Sequence, residues 1–135
     1  MEYKDTPWQD ILIDTRDYTV YRDKYPVTEG HVLFVPKEDN WKSMVTCFKA
    51  AYRWGYDWID RGYCDAFNIG QNVGEAAGQT VMYPHVHLIP RRKGDMDDPR
   101  GGVRHVIPEK GNYRKVPDAT KEYYEHVAQQ ERFDF

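Results

Sequence analysis

The 135 residues carry 19 Lys plus Arg against 22 Asp plus Glu, a formal net charge of −3. That balance excludes a protein that grips nucleic acid through a broad basic face, while leaving room for a local phosphate site. Aromatic residues at 15% exclude a disordered chain, and the length suits a single domain, residues 1–135, that buries its core without disulfide staples.

No segment approaches the roughly 18 apolar residues of a membrane span, so no membrane association is expected. Met1–Asp5 opens no apolar leader. Cys47 and Cys64 lack metal or redox spacing and read as free thiols, which points to a reducing, cytoplasmic setting.

In chain order, residues 10–15 and 18–22 are short and rich in β-formers, and they flank a turn at Arg16-Asp17, so they predict a hairpin. A Pro- and Gly-marked loop over 25–30 leads to a third strand, 31–35, closed by Pro36. Residues 40–61 predict a helix, with Asn40 as N-cap and Gly62 as stop. Trp41, Met44, Val45, Phe48, Tyr52 and Ile59 form one stripe, read as the helix face packed on the core. A strand over 65–70, a Gly- and Ala-rich loop from Gly70 to Gly78 and a strand over 80–90 ending at Pro90 follow. The stretch 94–117 holds four Gly and three Pro and predicts mostly loop. A short C-terminal helix is expected over 118–130, with Asp118 near its N-cap. The fold class is α+β: an antiparallel sheet of about five strands, one long helix and a short C-terminal helix.

His85 and His87 are two apart in a predicted strand, so both imidazoles share one face while Val86 and Leu88 point into the core. Upstream, Gly74-Glu75-Ala76-Ala77-Gly78-Gln79-Thr80 offers small residues whose backbone N–H groups can approach an anion. Gln79, Thr80 and Asn72 add uncharged donors. A neutral imidazole can attack phosphorus, and a second can hold charge or move a proton. Spacing alone leaves three readings open: a metal pair, histidines with a structural role, or catalysis.

The segment Gly78-Gln79-Thr80-Val81-Met82-Tyr83-Pro84-His85-Val86-His87-Leu88-Ile89-Pro90-Arg91 resembles the signature of the histidine-triad (HIT) superfamily. Tyr25 to Lys37, with Gly30-His31-Val32-Leu33-Phe34-Val35-Pro36-Lys37, is similar to the family's Gly-His strand, and Phe67 to Gly78 to the strand and loop entering the triad. The resemblance covers residues 8–95; within the tail, 96–135, Asp98-Pro99-Arg100-Gly101-Gly102-Val103-Arg104 and Val106-Ile107-Pro108 are similar to a tail of bacterial members. It implies nucleotidyl transfer to water: attack on the α-phosphorus of a dinucleoside polyphosphate, such as diadenosine tetraphosphate, or of a nucleoside phosphoramidate, through a nucleotidyl-histidine intermediate.

Carried over residue by residue, the resemblance makes His85 the nucleophile. His87 becomes the phosphate- and leaving-group-contacting histidine, and His31 a buttress behind the site. Asn72, Gly78, Gln79 and Thr80 become phosphate contacts, and Asp23 the partner of the ribose hydroxyls. Ile11, Leu12, Tyr18 and Tyr21 are the expected lining of the base pocket. The first triad position holds Tyr83, whose phenol, with pKa about 10, cannot carry an imidazole's proton traffic at neutral pH. Altered rate or specificity is expected from it; the alternative is a nucleotide-binding protein with little turnover. A metalloprotein using His85, His87 and His31 is a third reading, weakened by the lack of a carboxylate or Cys within either histidine block. The resemblance implies no cofactor or metal for the chemical step and admits Mg²⁺ with a polyphosphate substrate. The expected partners are a nucleotide and, through the aromatic helix with Trp41, Tyr52 and Trp58, a second copy in a homodimer; no nucleic acid is expected. Arg91, Arg92 and Lys93 read as a solvated turn or as holders of outer phosphates. His105 and His126 read as surface residues.

Overall fold

The computed structural model describes residues 1–119. The described residues divide into two compact units, Met1–Asp97 and a second that begins at Asp98. In the first, β1 (Ile11–Asp14), β2 (Tyr18–Arg22), β3 (Val32–Pro36), α1 (Trp41–Asp60), β4 (Ala66–Gly70) and β5 (Val86–Arg91) follow one another. The strands form one antiparallel sheet in the order β1-β2-β3-β5-β4. This is the expected α+β arrangement. No helix among the described residues is long and apolar enough to cross a membrane.

One face of the sheet packs on α1. Val20, Val32, Phe34, Val86 and Leu88 from the strands meet Met44, Cys47 and Ala51 from the helix, all buried. A large apolar side chain sealed this way contributes about 1.5–3 kcal/mol. Burial pushes the Cys47 thiol up to about 12, so it is an inert core residue. Asn40 caps α1 as expected, its Oδ1 accepting from the Ser43 N–H at 2.8 Å.

The helix face differs from the expected one. Its buried line is Met44, Cys47, Ala51 and Gly55, whereas Trp41, Val45, Phe48 and Tyr52 are exposed, Trp41 at 72%. The reason is close approach: a Cβ at Gly55 would fall 2.5 Å from Phe67 Cδ1. Small residues bring the helix onto the sheet, and the aromatic stripe is left beside the contact. Trp54 and Trp58 pack against the core from its edge.

β5 is shorter at its start than the predicted strand over 80–90. Its ladder begins with the Phe34–Val86 and Gly70–His87 pairs, and Pro84 has no N–H to extend it. Residues 81–85 therefore run irregularly into the strand.

Within the second unit, short 3₁₀ turns at Gly102–Val106, Pro108–Lys110 and Tyr113–Lys115 replace the expected loop. His105 is half-buried there, its Nε2 2.9 Å from the Arg100 carbonyl oxygen. The helix expected over 118–130 falls, apart from its first two residues, outside the described residues, as does His126.

Candidate active site

The face of the sheet opposite α1 carries a second buried cluster, Tyr21, Leu33, Val35 and Tyr83, with Tyr3 and Trp8 packed against it. His85 and His87 lie half-buried on this side, while Val86 and Leu88 between and after them are fully buried on the other. The alternation of β5 thus delivers two imidazoles, with ring centroids 5.2 Å apart, to one place.

They open into a cleft of about 780 Å³. Asn72, Gly78, Gln79 and Thr80 line one wall, and Asp23 lines it with His85 and His87. The structure therefore brings together seven of the nine predicted site residues on one surface. Gly78 has φ +96°, a left-handed backbone suited to glycine, and closes the turn Glu75–Ala77. Gln79 does not hold its amide open toward the cleft: its Oε1 accepts from the Gly74 N–H at 2.8 Å and its Nε2 donates to the Val81 carbonyl at 3.1 Å. Its side chain pins the loop.

The other two residues sit behind the surface. His31, immediately before β3, is 4% exposed. Tyr83 is 1% exposed and is absent from the cleft lining. Its hydroxyl donates to the Pro36 carbonyl at 2.7 Å, and burial pushes the phenol up to about 12. The main chain at position 83 has a different contact: its carbonyl oxygen lies 2.8 Å from His85 Nδ1. A carbonyl can only accept, so the His85 proton sits on Nδ1 and the Nε2 lone pair is left for a substrate.

Backbone also assigns the other two imidazoles. The Val27 N–H donates to His31 Nδ1 at 3.1 Å, so neutral His31 carries its proton on Nε2. That nitrogen lies 2.9 Å from His87 Nδ1, which must accept, placing the His87 proton on Nε2. Asp23 Oδ2 stands 3.4 Å from the same His31 nitrogen. Desolvation lowers the pKa of all three imidazoles, assisted for His87 by its two neighbours, which bring it down to about 4. Burial thus favours neutral rings at neutral pH.

Asp23, His31 and His87 bring one potential ligand atom each within 4.8 Å of one another, which supplies the carboxylate that the histidine blocks lack. With the protons placed as above, a cation would have to displace one of them. Val27 takes the Nδ1 lone pair of His31, so the nitrogen aimed at Asp23 and His87 bears a proton and cannot coordinate.

Trp8 is a site residue that the sequence reading missed. Its indole meets His85 edge-on with centroids 4.7 Å apart and also packs on Tyr21. With Pro7, Tyr25 and Leu33 it forms the apolar part of the cleft. The expected base-pocket residues do not: Tyr21 is buried beneath Trp8, Tyr18 packs on Phe34, Ile11 is exposed, and Leu12 faces a separate cavity of about 870 Å³ against Trp58 and Tyr63. That cavity reaches His31 but neither His85 nor His87. Arg91 and Arg92 are committed to the fold. Arg91 pairs with Asp95 and bonds Asn68, and Arg92 donates to the Glu29 and Tyr63 carbonyls.

The HIT domain profile matches residues 7–94. The chain belongs to the HIT family. Among relatives, the bis(5'-nucleosyl)-tetraphosphatase [asymmetrical] of Schizosaccharomyces pombe is 36% identical over 80 residues, 54% of this chain and 44% of that enzyme. The adenosine 5'-monophosphoramidase HNT1 of Saccharomyces cerevisiae is 32% identical over 88 residues, 60% of this chain and 53% of the enzyme. The matched segments thus span about half the length of these two relatives. Among solved structures, SMU.412c from Streptococcus mutans UA159 superposes with a TM-score of 0.68 at 25% identity, covering 93% of this chain and 76% of that one.

Proposed function

We propose that this HIT domain is a nucleotidyl hydrolase in which His85 attacks the α-phosphorus of a nucleotide. The observation that carries this reading is the His85 Nδ1–Tyr83 carbonyl bond, which leaves an Nε2 lone pair facing a cleft lined with amide and hydroxyl donors. In the first step His85 Nε2 bonds to phosphorus and the bond to the leaving group breaks, its electron pair going with that group. The imidazole then bears a nucleotidyl group on Nε2 and its original proton on Nδ1, a cation that the Tyr83 carbonyl stabilises. Water oxygen then bonds to the same phosphorus, the P–Nε2 bond breaks with its electron pair returning to Nε2, and one water proton passes to solvent, releasing the nucleoside monophosphate and restoring the neutral imidazole.

His87 presents Nε2–H to the reacting oxygens as a hydrogen-bond donor. A phosphate leaving group departs as an anion and needs no more than that. An amine leaving group needs a full proton, which neutral His87 cannot supply. Dinucleoside polyphosphates therefore suit the resting protonation better than phosphoramidates; the similarities include both a tetraphosphatase and a phosphoramidase, so the choice rests on protonation alone. Asp23 reaches the cleft where two ribose hydroxyls could donate to it, although its Oδ1 also accepts from the Tyr25 N–H. Mg²⁺ would enter on the polyphosphate as part of the substrate. Release of monophosphate from diadenosine tri- and tetraphosphate, with and without Mg²⁺ and with a His85→Ala control, tests the assignment.

We also propose that a second copy of the chain covers the α1–β4 face. Trp41, Val45, Phe48, Tyr52 and Tyr56 are exposed along α1, Val73 and Met82 extend the patch, and β4 is an edge strand paired only with β5 among the described residues. Such an edge beside such a patch invites pairing.

A further inference from the structure

The bond that sets the proton on His31 comes from an exposed loop with little apolar anchorage. Tyr25 is 79% and Val27 71% exposed. Polar contacts hold the loop instead. Thr28 Oγ1 donates to the Pro90 carbonyl at 2.6 Å, and Arg92 Nη1 donates to the Glu29 carbonyl at 2.7 Å. The other arm of Arg92 donates to the Tyr63 carbonyl at 3.2 Å, and its guanidinium lies 4.7 Å from the Tyr63 ring centre. Gly30, at φ +94°, sits so close to that ring that a Cβ would fall 2.4 Å from the Tyr63 hydroxyl oxygen. The loop is thus fixed to the far end of β5, the strand that also carries His85 and His87.

We infer that Thr28 and Arg92 are positioning residues that hold the Val27 N–H on His31 Nδ1 and thereby select the direction of the His31–His87 hydrogen bond. With the clamp in place, His31 donates from Nε2, His87 accepts at Nδ1, and His87 keeps a proton on the nitrogen that faces the cleft. Without it, Val27 leaves and His31 can carry its proton on Nδ1. His87 then donates from Nδ1 to His31, and its Nε2 turns from donor to acceptor. A phosphoryl oxygen in the cleft would meet a lone pair instead of an N–H. The inference rests on the hydrolase reading for its effect on rate but not for its effect on the protons.

The test is the position of the histidine protons at neutral pH, read from long-range proton–nitrogen correlations on ¹⁵N-labelled protein. Wild type is compared with Thr28→Val, Arg92→Met and Arg92→Lys, and well-dispersed sheet amides show that each variant is folded. His31 and His87 are expected to be protonated on Nε2 in wild type. In Thr28→Val and Arg92→Met, His31 should acquire an Nδ1-protonated population, and Arg92→Lys, with one donor kept, should return part-way. Where Arg92→Met fails to fold, Thr28→Val and Arg92→Lys carry the comparison. Turnover should fall about tenfold with KM changed less than about twofold, the scale of losing one hydrogen bond to the reacting oxygens. A wild-type His31 protonated on Nδ1, or unchanged protons in every folded variant, would overturn the inference. A wild type with the expected protons and no turnover would support the clamp while refuting the hydrolase reading.

Discussion

His85 Nδ1 stands 2.8 Å from the main-chain oxygen of Tyr83, and that contact needs nothing from the side chain at position 83. The orientation of the nucleophile is therefore separable from the identity of the residue before it. The Tyr83 ring serves the fold, bridging β3 through Pro36 from inside the buried cluster.

Tyr83→Phe follows as a discriminating variant. It leaves the Pro36 carbonyl without its buried donor, and a stability loss of about 1–3 kcal/mol is expected. Monophosphate release should stay within about threefold of wild type, since the variant removes no proton donor from the cleft. Urea unfolding together with a turnover assay checks both halves. A large loss of turnover in a folded variant would give the phenol a chemical role.

The pH–rate profile reports the nucleophile. Burial lowers the His85 pKa, so the imidazole stays neutral below the usual 6.5. The acid limb of kcat/KM for a dinucleoside polyphosphate should therefore have its midpoint below that value. A midpoint at or above it would place a different group on that limb.

Stability should carry the signature of His87. Its pKa is about 4 in the folded chain against 6.5 for an exposed histidine. As pH falls through 6.5 the unfolded chain takes up the proton first, so stability declines from there toward pH 4 and levels off below. Melting temperatures across that window should fall less steeply in His87→Gln. Equal slopes would show that His87 contributes nothing to the acid sensitivity.

Gly55→Val tests the close seating of α1. The added side chain meets the Phe67 ring, and overpacking of this kind costs about 1–3 kcal/mol. The exposed stripe beside it should answer differently. Trp41→Asp combined with Tyr52→Asp should leave a folded protein but convert a dimer to a monomer by light scattering. A wild-type monomer would refute the proposed pairing.

These contrasts show how much was legible in the sequence. The hairpin, the Asn40 cap and the alternation of His85 and His87 against Val86 and Leu88 followed from local rules, because each depends on neighbours in the chain. The helix face did not. Its large residues fit a core stripe, but its small ones, Cys47, Ala51 and Gly55, made the contact. Distance in sequence hid the proton arrangement, for Val27, His31 and His87 meet only after β3 pairs with β5. Trp8 was hidden for the same reason. It precedes every strand and reaches His85 only through the folded cluster around Tyr21.

The central claim is that His85 is the nucleophile, and it is tested most directly by following nucleoside monophosphate release from diadenosine tetraphosphate in wild type and His85→Ala. Nucleoside monophosphate binding is measured alongside. The account predicts release by wild type, a loss of at least about a thousandfold in the variant, and retained binding in both. Undiminished release by His85→Ala, or a wild type that binds the monophosphate and turns over none of the dinucleotides, would contradict it.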